Sequence, residues 1–166
     1  MSERRSTTAA EFVKVLAQDP DYQARLKIQE ASTVALAAAC DADEIDLVNE
    51  LREVNASVSS VWDFVAIGGA PEGAVAILVR HLNRPHHPRI WEGIVRSLST
   101  KRARALALEP LRSLYRAESD LDRRWVIANA IGSMARFADV KDLEGMEQYR
   151  ALFRQSRKPP HVPPAV

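Results

Sequence analysis

The stretch Asp122-Arg-Arg-Trp-Val-Ile-Ala-Asn-Ala-Ile-Gly132 decides the fold. Its apolar side chains recur every three or four residues, a spacing that places side chains on one face of an α-helix. At about 100° per residue, one arc of the helix carries Val126, Ile127, Ala130, Ile131 and Met134. The pattern predicts an amphipathic helix over residues 122–135, with Trp125 and Asn129 directed away from the core.

Two earlier segments repeat this pattern. Aligning Val61, Ile90 and Arg123, at spacings of 29 and 33 residues, also aligns apolar positions further along each segment. These positions are Val65 with Ile94 and Ile127, and Leu98 with Ile131. Second helices are predicted over residues 58–67, 89–99 and 122–135, each preceded by a first helix, over residues 43–54, 71–82 and 105–117. Because neither helix of such a pair buries its apolar stripe alone, the sequence predicts about three stacked helical hairpins.

The apolar positions of the repeats predict the core. In the first two leading helices, the predicted core residues are Ile45, Leu47, Val48, Leu51, Val75, Ile77, Leu78 and Leu82. In the first two second helices, they are Val58, Val61, Trp62, Val65, Ile90, Trp91, Ile94 and Leu98. Gly68-Gly69 and residues 83–88 are predicted to be turns between the helices.

Helices are also predicted on both sides of the repeats. A capping box from Thr8 to Glu11 begins a helix over residues 9–18, and Asp19-Pro20 begins a second one that ends near Cys40. A final helix is expected over residues 140–155, followed by a flexible Pro-rich tail over residues 158–166. Residues 1–157 are therefore expected to form one domain, in which the N-terminal helices over 9–40 precede repeats over about 43–69, 71–100 and 105–138.

The segment 122–132 resembles the second-helix signature of HEAT repeats, in which Asp and Arg precede an Ala-Leu-Gly end. Residues 88–99 are a looser copy, and residues 58–69 are looser still because they lack the Asp. The resemblance covers about residues 43–138, and residues 19–63 are similar to the leading part of bacterial HEAT-repeat proteins of unassigned function. It implies an all-α, right-handed α-α superhelix that acts as a binding scaffold, with the second helices lining its concave side.

Composition and charge narrow the class of protein. The lone Cys40 makes neither an internal disulfide nor a zinc cage and is expected to be buried. Neither a signal peptide nor a membrane span is evident, so a cytoplasmic location is expected. Residues 1–70 carry a net charge of −6 and residues 71–166 a net charge of +7. The basic half favours nucleic acid or an acidic protein as a partner, or forms solvated helix surfaces.

The second helices predict a partner-binding ridge on the side away from the core. Its residues are Asp63, Ile67, Arg89, Glu92, Arg96, Trp125 and Asn129. Trp125 is either a binding anchor or packs against the first helix of its own pair. The arginines, together with Arg124, either contact anions or form a salt-bridge ladder between repeats with Glu92 and Asp122.

The leading functional prediction is a non-catalytic module that binds another protein, as an adaptor, an inhibitor or an immunity-type partner. One alternative is nucleic-acid binding through the basic C-terminal half. A second alternative is an enzyme that uses Asp63 and Glu92 as an acid–base pair. No cofactor is expected, and no metal site is expected because His86 and His87 are adjacent in a turn without further ligands.

Overall fold

The structure, a computed structural model, describes residues 8–134 and 136. Within these residues the chain forms seven α-helices, one 3-10 helix (Lys101–Ala103) and no β-strand, which confirms the predicted all-α class. The helices are α1 (Ala9–Gln18), α2 (Pro20–Arg52), α3 (Trp62–Ala66), α4 (Glu72–His81), α5 (Pro88–Ser97), α6 (Arg104–Ala117) and α7 (Leu121–Met134). The helix predicted over residues 140–155 and the tail over 158–166 lie outside the described residues.

The chain divides into two compact units, Met1–Asp41 and Ala42–Val166. In the first unit, α1 begins directly after Thr8, as the capping box predicts. The carboxylate of Asp19 accepts the backbone N–H groups of Asp21 at 2.9 Å and Tyr22 at 3.2 Å, so Asp19 caps the start of α2. Cys40 is buried, as expected from its apolar surroundings in the sequence.

One long helix replaces two predicted ones. The sequence predicts that one helix ends near residue 40 and that another begins at residue 43. In the structure, α2 continues from Pro20 to Arg52. The prediction was wrong because Asp41 and Asp43 are weak breakers, each costing a helix less than about 1 kcal/mol. No Gly or Pro occurs between Pro20 and Gly68 to interrupt the backbone.

The second helix of the first repeat is shorter than predicted. Instead of running over residues 58–67, α3 contains only Trp62–Ala66. The carboxylate of Asp63 accepts the backbone N–H groups of Ser59 at 2.8 Å and Ser60 at 3.0 Å, which holds these two residues in a turn. Gly68 and Gly69, with φ of +85° and +125°, then end the helix at the predicted place.

The helices of the second unit pack as neighbouring pairs. α4 contacts α5, and α6 contacts α7, so the first and second helices predicted for two repeats lie against each other. The two pairs also meet, because α4 contacts α6 and α5 contacts α7. α5 contacts α3 on its other side, which places α5 between α3 and α7.

The predicted core of the second unit is largely confirmed. The fully buried side chains include Leu47, Leu51, Leu78, Ile90, Ile94, Leu98, Ile127 and Ile131. Trp62, Val65 and Val126 are only half-buried, whereas Phe64, which the prediction omits, is fully buried. The helical spacing therefore identifies most of the buried positions on α4, α5 and α7.

The prediction that Ile45 belongs to the core is wrong. Its side chain is 56% exposed, and Glu44 is buried in its place at 5% exposure. Glu44 shares a face with Leu47, Val48 and Leu51 at the spacing of a helical stripe. Its carboxylate accepts the backbone N–H of Val61 and the hydroxyl of Ser60, both at 3.1 Å. A carboxylate is tolerated in this stripe because it is hydrogen-bonded, which a hydrophobicity pattern cannot register.

α5 approaches the chain around α3 very closely. Gly93 faces Val61 and Trp62, and a Cβ atom at this position would lie 2.6 Å from Val61 Cγ1 and 3.1 Å from Trp62 Nε1. The buried hydroxyl of Ser97 donates to the carbonyl of Val61 at 3.0 Å, and the carbonyl of Ser97 accepts the N–H of Ala70 at 2.8 Å. The absence of a side chain at residue 93 thus allows two backbone segments to meet.

Replacing Gly93 with Ala should destabilise the protein despite the better helix propensity of Ala. We expect overpacking against Val61 and Trp62 to lower the free energy of unfolding by about 1–3 kcal/mol in urea denaturation followed by circular dichroism. Gly73→Ala is the matched control, since its Cβ would lie 3.5 Å from Val54 and should raise stability by up to about 1 kcal/mol. Equal effects of the two substitutions would contradict the close contact.

Candidate functional site

The seven ridge residues lie on α3, α5 and α7 or at their ends, on the side away from the core; we call this surface the second-helix face. Ile67 is 71% exposed and Trp125 is 52% exposed. Arg89 is exposed, and Asp63, Glu92, Arg96 and Asn129 are half-buried. About half of the Trp125 side chain is therefore exposed to solvent. Because α5 lies between the other two helices, Ile67 and Trp125 flank the charges of α5.

An ion pair occupies the middle of the second-helix face. The Nε atom of Arg96 donates to Oε1 of Glu92 at 2.7 Å, across one turn of α5. The pair joins residues of one helix, so the predicted salt-bridge ladder between repeats is wrong for Glu92. Asp122 also makes no ion pair with any residue that the structure describes.

Contacts between neighbouring second helices are made by arginines over tryptophan rings. The Cζ atom of Arg89, on α5, lies 5.4 Å from the ring centroid of Trp62, on α3. The Cζ atom of Arg123, on α7, lies 4.1 Å from the ring centroid of Trp91, on α5. Each guanidinium is therefore placed to make a cation–π interaction with the preceding second helix.

Arg124 makes a similar contact with the first helix of its own pair. Its Cζ atom lies 4.5 Å from the ring centroid of Tyr115, on α6. The sequence predicts that Arg89 and Arg124 contact anions or form a salt-bridge ladder between repeats with acidic side chains. The structure places both guanidinium groups over aromatic rings. Helical spacing does not indicate these contacts, because it shows which side chains share a face and not which neighbours they meet.

The two carboxylates of the enzyme alternative have separate local contacts. Hydrogen bonds from the Ser59 and Ser60 backbone lower the pKa of Asp63, which keeps this side chain ionised. Glu92 is paired with Arg96. Among the described residues, no hydrogen bond joins Asp63 to Glu92 or a shared third side chain. Their contacts are those of a helix-start acceptor and a surface ion pair.

A buried histidine network was not anticipated. His81, on α4, is 1% exposed, and its Nδ1 lies 2.9 Å from Nε2 of His86. The Nδ1 of His86 in turn lies 2.9 Å from the carboxylate of Asp43, on α2. His81 follows Ile77 and Leu78 by four and three residues, so its position on the buried face of α4 was readable from the sequence. Its contact with Glu50, on α2, is not indicated by the sequence because the two residues are 31 positions apart.

Glu50 connects the other end of the network to arginines. Its carboxylate accepts hydrogen bonds from Arg80 at 2.7 Å and Arg84 at 3.1 Å, and lies 3.2 Å from Nε2 of His81. The hydrogen bond from Arg80 is the main cause that lowers the pKa of Glu50 to about 2, and the hydrogen bond from Arg84 lowers it further, even though partial burial raises it. This carboxylate is therefore ionised at neutral pH.

The hydrogen bonds of the network define one consistent proton arrangement. Burial is the main cause that lowers the pKa of His81, so its ring is neutral at pH 7. We assign Nδ1–H of His81 as the donor to Nε2 of His86, and Nδ1–H of His86 as the donor to Asp43. Nε2 of His81 then accepts from Nη1 of Arg84, 2.9 Å away, which also donates to Glu50.

His86 also borders a groove of about 450 Å³, whose walls include Arg84, Trp91 and Arg123. Both ring nitrogens of His86 are used in the network. No group of three or more His, Cys, Asp or Glu side chains in the described part of the chain has the arrangement of a metal site. In the same part, no helix combines the length and the apolar character needed to cross a membrane.

Comparisons with protein-family models, with curated proteins and with solved structures found no match to this chain.

The histidine network should make stability depend on pH. The pKa of His81 is lower in the folded state than the usual histidine value of 6.5. As the pH falls below 6.5, His81 is therefore protonated in the unfolded chain before it is protonated in the folded chain. The contribution of His81 to stability is thus complete at higher pH and decreases below about 6.5, by at most about 1.4 kcal/mol per pH unit.

Urea unfolding between pH 5 and pH 7.5 measures this effect. The slope of unfolding free energy against pH should be smaller for His81→Gln than for the wild type, whatever the two absolute stabilities are. Parallel curves for the two proteins would contradict the assignment of a buried, neutral His81.

Proposed function

We propose that this protein is a non-catalytic, HEAT-like module that binds another protein through its second-helix face. One observation carries the proposal: Ile67 and Trp125, two exposed large apolar side chains, flank the Glu92–Arg96 ion pair on three neighbouring helices. Apolar or aromatic anchors around a polar centre are typical of protein interfaces, whose binding energy is concentrated in a few such residues. An adaptor, an inhibitor or an immunity-type protein would use such a face.

The pairing of α4 with α5 and of α6 with α7 supports the HEAT-like part of the proposal. Successive pairs contact each other through both their first helices and their second helices. A right-handed α-α superhelix continues this relation from pair to pair, which is why we propose that architecture. In such an arrangement, the second helices of neighbouring pairs form one continuous surface.

The contacts of the arginines favour a protein partner over nucleic acid. Arg112 is paired with Glu109 at 3.2 Å, and Arg123 is paired with Glu118 at 3.2 Å. Binding of nucleic acid depends on many basic side chains that reach phosphate groups. Arginines engaged with carboxylates and rings of their own chain have less capacity for that role.

Substitution of the second-helix face should abolish partner capture. The immobilised wild-type chain would be incubated with lysate of its native cells, and bound proteins would be identified by mass spectrometry. A protein retained by the wild type should be lost with the variant that combines Trp125→Ala and Arg96→Ala. For the purified partner, we expect the affinity to decrease at least about tenfold, because truncation of an interface anchor typically costs 1–2 kcal/mol or more.

Leu106→Ala is the matched control, since Leu106 is an exposed apolar residue of α6, 53% accessible, outside the second-helix face. The Leu106→Ala variant should retain as much of the partner as the wild type does. Circular dichroism melts would verify that all three proteins are equally folded. Retention of the partner by the double variant, or its loss with Leu106→Ala alone, would refute this location of the binding site.

A further inference from the structure

Three polar or aromatic residues share one exposed arc of α7. Asp122, Trp125 and Asn129 are spaced by three and four residues, which places them on the same side of the helix. Asp122 is exposed, and within residues 8–134 and 136 its carboxylate accepts no hydrogen bond and makes no ion pair. Trp125 is half-exposed next to it.

The residues on the corresponding arc of α5 contact partners on α5 and α3. The equivalent residues in the 33-residue register are Arg89, Glu92 and Arg96. There Glu92 is neutralised by Arg96, and Arg89 covers the ring of Trp62. On α7, Trp125 and Asn129 replace the two members of the ion pair. The carboxylate of Asp122 consequently has no cation opposite it on this arc.

Trp62 and Trp91 show what kind of group covers an indole ring in this protein. Trp62 is covered by Arg89, and Trp91 by Arg123, in both cases from the following second helix. The arginines nearest to Trp125 in the sequence are engaged elsewhere, since Arg123 covers Trp91 and Arg124 covers Tyr115. Trp125 occupies the register position of Glu92, not that of Trp62 and Trp91, and its side chain is 52% exposed.

We propose that Asp122, Trp125 and Asn129 bind an arginine side chain of the partner protein. The flat guanidinium stacks on the indole ring, the carboxylate of Asp122 accepts its N–H groups, and the side-chain amide oxygen of Asn129 accepts another. Arginine is favoured over lysine because only the planar guanidinium combines stacking with hydrogen bonds at its edge. This inference rests on the proposed function and specifies the chemistry that the second-helix face recognises.

A titration monitored by nuclear magnetic resonance tests the inference with the full chain. The probe is a 15-residue alanine-based helical peptide carrying two arginines one turn apart, and matched peptides carry two lysines or two citrullines. The indole Nε1–H signal of Trp125, assigned with Trp125→Phe, should shift saturably with the arginine peptide. We expect binding roughly fivefold weaker for the lysine peptide and at least about tenfold weaker for the uncharged citrulline peptide.

Asp122→Asn should weaken binding of the arginine peptide about fivefold to tenfold, because it removes the charge that pairs with the guanidinium. Asp46→Asn, which removes the same charge from an exposed position on α2, should bind like the wild type. Equal binding of the arginine and citrulline peptides, or equal affinity for Asp122→Asn and the wild type, would overturn the inference. If partner capture depends on the second-helix face while the arginine peptide fails to bind, the proposed function stands and only this inference falls.

Discussion

The contact of α5 with Val61 and Trp62 determines where the other helices of the second unit can lie. Gly93 removes the side chain that would separate these segments, and Ser97 joins them with hydrogen bonds in both directions. With α5 fixed at this distance, the ring of Trp62 lies within reach of Arg89, and the other side of α5 receives α7. The spacing of the second helices, and with it the second-helix face, follows from one close approach.

Helical periodicity predicted α4, α5, α6 and α7 to within about two residues at each end, because each has at least ten residues and clear end signals such as Pro88 or Asp120. The bounds of α2 and α3 differ from the prediction for local reasons, whereas the error at residues 44 and 45 arises because groups distant in sequence override the local pattern. Glu44 is buried because the chain around Val61 offers it hydrogen bonds, and Ile45 is exposed as a result. The ridge positions were predictable from the same periodicity, whereas their contacts were not. Nothing local indicates that Arg89 covers Trp62, or that His86 reaches Asp43.

Some side chains of the second-helix face are paired with each other, whereas others are large, apolar and exposed. An exposed ion pair within one helix contributes little to stability, about 0.3–0.5 kcal/mol, so Glu92 and Arg96 can exchange each other for groups of a partner at small cost. Ile67 and Trp125 are not part of the buried core, since both side chains are more than half exposed. The face therefore carries several residues whose type is not dictated by folding.

The shortness of α3 has a consequence for how the chain acquires its structure during synthesis. A helix of five residues makes too few backbone hydrogen bonds to offset the cost of nucleation, so α3 requires a surface to form on. That surface is α5, which leaves the ribosome later because its residues are further along the chain. We therefore expect residues 62–66 to complete their helix only after α5 has been translated, so that the later helix serves as the template for the earlier one.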